Sequence, residues 1–102
     1  MRRVVITGMG AITPIGNNVK ELWSSVLKGR CGIDKITHYD TTGRKVTLAG
    51  EVKNFNPEDF MDKKSARRMD KFCQYAVAAT KEAIEDSGLD MNNEDPYMVG
   101  CS

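Results

Sequence analysis

The 102-residue sequence predicts an α/β layered fold, seen through its opening elements. Three observations point there. The run Val4-Val5-Ile6-Thr7 is β-branched, short and stopped by Gly8, and it reads as a buried strand. Two later segments carry helical apolar periodicity, the second of them over about residues 63–87. A second strand-like run, Tyr97-Met98-Val99-Gly100-Cys101, follows near the end of the chain. The order strand, helix, extended segment, helix, strand fits the start of a layered α/β domain, and the late strand predicts that further sequence follows it.

Each element has a local reason. Asn17 or Asn18 is placed to cap the first helix, in which Val19, Leu22, Trp23, Val26 and Leu27 form one apolar stripe. Gly29 stands where a helix C-terminal glycine belongs. Residues 30–44 read as a loop, and Val46, Leu48 and Val52 share one face of an extended segment over residues 45–53. Asn56-Pro57 pairs a capping side chain with proline at the first helical position. The long helix has a potential break near Asp70 and stops at Ser87-Gly88.

Composition narrows the function classes. Fifteen basic residues face fourteen acidic ones, a net charge of +1, so the whole-chain balance names no partner. The three cysteines, Cys31, Cys73 and Cys101, form no C-x-x-C pair, which argues against a disulfide framework or a metal site and for reduced thiols in the cytoplasm. Cys101 is expected as a packed strand thiol and Cys73 as a core residue, while Cys31 lies in a loop and is expected to be exposed. His38, the one histidine, reads as a solvated loop residue. No apolar run approaches the roughly 20 residues that span a bilayer.

The stretch "VVITGMGAITPIGNN" resembles a nucleotide-binding loop but lacks its parts. Gly8 and Gly10 satisfy the first two glycines of G-x-G-x-x-G, whereas the third position is Thr13 and Pro14 pushes it into an extended conformation. The helix then starts too late for its amides to meet a phosphate at the glycines. The glycines are expected instead to let the chain pass close to other backbone.

The most informative chemistry is "DKKSARRMDKF", residues 62–72. On one continuous helix Lys63, Lys64, Arg67, Arg68 and Lys71 share an arc of about 140°, with Met69, Phe72, Cys73 and Ala76 opposite. A break at Asp70 makes the placement of Lys71 the least secure. Without these five cations the rest of the chain carries −4, so the patch is local and suited to an anionic partner. Nucleic acid fits poorly, because no aromatic stacking platform is interleaved with the charge. A membrane surface fits poorly too, because the opposite face is committed to packing.

Taken together, "VVITGMGAITPIGNNVKELW", "GRCGID", "KKSARRMDKF" and "AIEDSGL" are similar, in that order, to the N-terminal part of the β-ketoacyl-acyl-carrier-protein synthases, most closely the 3-oxoacyl-ACP synthase II branch of bacterial fatty-acid synthesis. The resemblance implies a thiolase-like fold, a mixed sheet with packed helices, of which residues 1–102 would be an incomplete N-terminal part ending after a second core strand. It implies an acyltransferase that performs a decarboxylative Claisen condensation through a cysteine nucleophile and two histidines, works in the cytoplasm as a homodimer, and needs no cofactor or metal. In that family the three catalytic residues lie downstream of the matched region. No catalytic residue is therefore assigned in this chain, which alone is expected to be inactive. The family also docks acidic acyl carrier protein on a basic patch at this helix. Position by position, the contacts fall on Lys64, Arg67 and Arg68, with Lys63 and Lys71 as accessories. The rival readings are a small non-catalytic module that docks an acidic protein through the same helix, and a nucleotide-binding domain.

Overall fold

The computed structural model describes residues 2–102. Helix α1 covers Val19–Leu27, strands β1 and β2 cover Ile33–Lys35 and Leu48–Gly50, and helices α2 and α3 cover Lys63–Arg68 and Lys71–Ser87. One-turn 3-10 helices stand at Pro57–Asp59, Met91–Asn93 and Pro96–Met98.

The local signals act as expected. The Asn18 side chain caps α1 by accepting from the Glu21 amide at 2.8 Å, and the Glu21 carboxylate accepts in return from the Asn17 amide at 2.9 Å. Asn56 caps the first 3-10 turn by accepting from the Glu58 amide, with Pro57 inside the turn. The break at Asp70 is real. Met69 leaves the helix with ψ 137°, and Asp70 occupies the N-cap position of a new helix. The Gln74 side-chain amide spans the break by donating to the Ala66 carbonyl at 2.9 Å. Gly88 ends α3 in the left-handed region at φ 69°, where a side chain would be strained.

The predicted strands depart from expectation. Residues 4–7 form no strand and pair with nothing among the described residues, and Val4 and Ile6 are 95% and 83% exposed. Residues 97–101 contain the end of a 3-10 turn followed by irregular chain, with Tyr97 96% exposed and Cys101 exposed. Cys101 is thus not a packed strand thiol. The reason is common to both segments: a strand is defined by its partner, and β-branched composition supplies a tendency but no partner. The loop expected over residues 30–44 contains β1, which pairs antiparallel with β2 in the register Ile33↔Gly50, Asp34↔Ala49, Lys35↔Leu48.

The buried core is thin. Among the described residues only Ala66, Ala78 and Ser25 are buried. Trp23, Val26 and Leu27 of the α1 stripe are exposed, with Trp23 at 61%. The radius of gyration is 17.0 Å, against about 13 Å for a compact chain of this length. A small aromatic cluster adds a second packing centre. Phe55 stacks on Phe60 at 5.6 Å between centroids and meets the edge of Tyr75 at 5.0 Å.

The glycine stretch lies along α3. A Cβ on Gly10 would stand 1.8 Å from the Ala79 carbonyl oxygen, and one on Gly8 would stand 2.4 Å from that of Ala83. These glycines therefore serve close approach to other backbone. The contact is fastened by α3 carboxylates. Glu82 accepts from the amides of Ala11 (3.0 Å) and Val19 (3.0 Å), the latter at the first residue of α1, and Asp86 accepts from the Met9 amide (3.1 Å). A phosphate at this loop would have to displace two carboxylates of the protein itself.

Candidate functional site

The helix pair α2–α3 holds the sequence-predicted site. The Asp62 side chain caps α2 by accepting from the Ser65 amide at 3.3 Å, and the resulting hydrogen bonds with Ser65 hold its carboxyl below the usual aspartate value. Ala66 is buried at 7% and fixes the inner side of α2. This leaves Lys63, Lys64, Arg67 and Arg68 all exposed. Arg67 and Arg68 lie in the last turn of α2, where cations complement the helix dipole.

Lys71 opens α3 and is exposed as well, so the break does not withdraw it from solvent. None of the five cations makes an ion pair among the described residues. The expected opposite face is different from the single-helix prediction. Met69 and Cys73 are half-buried, but Phe72 is 70% exposed and Ala76 is exposed. The reason is the break itself, which resets the helical phase after Met69. Phe72 thus stands in solvent beside Lys71.

Beside α3 lies a cleft of about 640 Å³ that sequence reasoning missed. Glu51, just after β2, is its organising group. It accepts from the Thr37 amide (2.9 Å), the Thr37 hydroxyl (3.1 Å) and the His38 amide (3.1 Å), and it faces His38 Nδ1 at 3.0 Å. The Thr37 amide is the main cause that holds the Glu51 carboxyl below its ordinary value. His38 is therefore exposed in its loop, as expected, and also partnered by Glu51. Tyr75 lines the same cleft, and burial, reinforced by the Glu51 charge, raises its hydroxyl above the ordinary tyrosine value. Contacts between residues 37–38 and 51 leave no periodic trace, which is why the pattern of the sequence does not announce them.

The three cysteines stand apart from these groups. Cys31 and Cys101 are exposed and Cys73 is half-buried. No cluster of three or more histidine, cysteine or acidic side chains able to hold a metal ion occurs among the described residues. No helix among them is long and apolar enough to cross a membrane.

The comparisons with known proteins agree along the whole chain. Residues 1–102 match the family described as "Beta-ketoacyl synthase, N-terminal domain". The chain is 59% identical over 99 residues to a 3-oxoacyl-[acyl-carrier-protein] synthase 2 of Staphylococcus aureus (strain N315), covering 97% of this chain and 24% of that protein. It is 50% identical over 101 residues to the enzyme of the same name from Vibrio cholerae serotype O1, covering 99% of this chain and 24% of the relative. It thus spans about a quarter of the length of the curated relatives it matches.

Among solved structures, "The ishigamide ketosynthase/chain length factor" superposes with a TM-score of 0.81 at 39% identity, over 90% of this chain and 23% of that one. A second, "AntDE:AntF (apo): type II PKS acyl-carrier protein in complex with its ketosynthase bound to the hexaketide", gives 0.70 at 27% identity, over 94% and 24%. The helices and hairpin described above are thus consistent with part of an α/β domain of the thiolase-like ketosynthase type. On these matches the chain belongs to the β-ketoacyl synthase family and corresponds to its N-terminal domain.

Proposed function

We propose that this chain is the opening part of a 3-oxoacyl-acyl-carrier-protein synthase, and that its own task is to receive the acidic carrier protein. The full enzyme would be a cytoplasmic homodimer that lengthens acyl chains. In its reaction a cysteine thiolate takes the acyl group as a thioester. Malonyl-ACP then loses CO2, its α-carbon attacks the thioester carbonyl, and the thiolate leaves with the electron pair. Two histidines support the developing charge. This chain supplies neither part of that centre. Its single histidine faces Glu51, and its three thiols lie near no histidine pair.

The observation that carries the docking reading is the set of five exposed cations on α2 and the start of α3, without ion-pair partners among the described residues. Lys64, Arg67 and Arg68 are the principal contacts, with Lys63 and Lys71 as accessories. Arginine grips carboxylates through its planar fork, and lysine adds charge that steers the encounter.

Titration of the purified chain with acyl carrier protein tests this. Binding is expected to be weak, and to fall between low and physiological salt as the Debye length contracts to about 8 Å. Arg67→Glu with Arg68→Glu is expected to abolish it. Unchanged binding by a folded double variant, or stronger binding to single-stranded or duplex nucleic acid at equal salt, counts against the reading. In a separate assay with acyl-ACP and malonyl-ACP, the chain alone is expected to give no β-ketoacyl product and no acyl-protein mass. Turnover there would refute the absence of a catalytic centre.

A further inference from the structure

The cleft between α3 and the β1–β2 hairpin is unused by the docking reading, yet it adjoins the same helix. Lys71 is shared: it begins α3 and it lines the cleft. Lys35 on β1 and Lys53 after β2 line it as well. The lining sets these three lysines against two carboxylates, Asp34 and Glu51, whose hydrogen bonds come from within the hairpin region and leave their charge in place. Glu51 is taken by Thr37 and His38, and Asp34 accepts from the Lys35 amide at 2.7 Å. The lysine heads pair with neither carboxylate. Lys53 Nζ reaches only the neutral Gly32 carbonyl at 3.4 Å, and Lys35 and Lys71 have no side-chain hydrogen bond or ion pair among the described residues. Phe55 and Tyr75 supply apolar walls between these charges.

We propose that the cleft is a second contact surface for the acidic carrier protein, with Lys35 and Lys53 receiving its carboxylates while Lys71 links the cleft to the α2 patch. The proposal rests on the docking reading above and extends it from one helix pair to the neighbouring hairpin. Three features support it. The cations line one concavity, they outnumber its carboxylates three to two and pair with neither, and the cleft is continuous with the α2–α3 face through Lys71. A partner that is acidic over more than one turn of helix would meet both surfaces at once, and two linked contacts bind more tightly than either alone.

The test uses acyl carrier protein as the probe. Lys35→Glu is the cleanest variant, because the Lys35 head has no protein partner to lose. It is expected to weaken binding about fivefold, and Lys35→Glu with Lys53→Glu about tenfold or more, as for loss of one or two partly exposed charge contacts. Lys20→Glu with Lys28→Glu, on α1 and its cap, is expected to leave affinity within about twofold.

Carbodiimide cross-linking of the unmodified chain to the carrier protein gives a measure that needs no variant to fold. Mass spectrometry is expected to find carboxylate adducts on Lys35 or Lys53 in addition to the α2 lysines. Two results would overturn the proposal, and they are distinguishable. If Arg67→Glu/Arg68→Glu abolishes binding while Lys35→Glu/Lys53→Glu leaves it unchanged and neither lysine cross-links, docking is confined to the helices. If neither double variant affects binding, the docking reading fails and the cleft proposal falls with it.

Discussion

Residues 8–19 and residues 62–71 both hold groups that attract anions, and the protein treats them oppositely. In the first region the donors are backbone amides, and α3 satisfies them with its own carboxylates, Glu82 and Asp86. In the second the donors are side-chain cations, and no carboxylate pairs with them among the described residues. The first arrangement holds the chain together and the second leaves charge available to a partner. Whether an anion-attracting motif is structural or functional thus depends on whether the fold already supplies the anion. A glycine-rich loop read without α3 looks like a binding site, and a lysine-rich helix read alone looks like an ordinary solvated face.

The largest expected effect breaks the first region. Gly10→Ala drives a methyl into the Ala79 carbonyl oxygen, with the ideal Cβ only 1.8 Å away. Overpacking against backbone should cost about 3 kcal/mol, read as a lowered midpoint in urea unfolding. Glu82→Ala is next. It strands the part-buried amides of Ala11 and Val19, and should cost about 2 kcal/mol. Glu82→Gln should recover about half of that, since one amide oxygen still accepts.

The same measurement on Arg67→Glu/Arg68→Glu should lower stability by only about 1 kcal/mol, because both side chains are exposed and unpaired and lose little beyond their favourable place at the helix C-terminus. That variant is nonetheless expected to lose carrier-protein binding. A double variant that unfolds the chain would erase the contrast between the two regions.

The smallest effect is a pH dependence. Glu51 has a folded value below its ordinary 4.5. Its stabilisation is therefore fully present above that value and is lost as pH falls through the lowered folded value. The protection factors of the Thr37 and His38 amides should fall as pH drops through that lowered value, while those of α3 do not. Glu51→Gln should remove this acid step. An equal loss of protection in α3 would show that the hairpin is not a separate unit.

The features legible in the sequence were those with local causes. Asn18 caps, Gly88 terminates and the Met69-Asp70 step breaks a helix, because each acts on neighbours within one turn. The exposure of the five cations was legible for the same reason, whereas the fold class was legible through the two helices and the order of the family-like segments. The strands expected over residues 4–7 and 97–101 were misread, since strand-like composition carries no information about a ladder partner. Nor were the contacts of Glu82, which reach across 71 and 63 positions to Ala11 and Val19. A glutamate on a polar helix face has no mark that sets it apart from its solvated neighbours. Phe72 was misplaced because a wheel drawn through a break keeps the wrong phase.

Trp23 turns the uncovered face of α1 into something that can be watched. It is the chain's one tryptophan, so its emission carries no contribution from elsewhere. At 61% exposure it should emit as a hydrated indole, and any protein surface that comes to cover α1 should shift that emission to shorter wavelength. Its groove also carries Glu82, Glu85 and Asp86. Neutral acrylamide should therefore quench it more efficiently than iodide, and the gap between the two quenchers should narrow as salt screens those carboxylates.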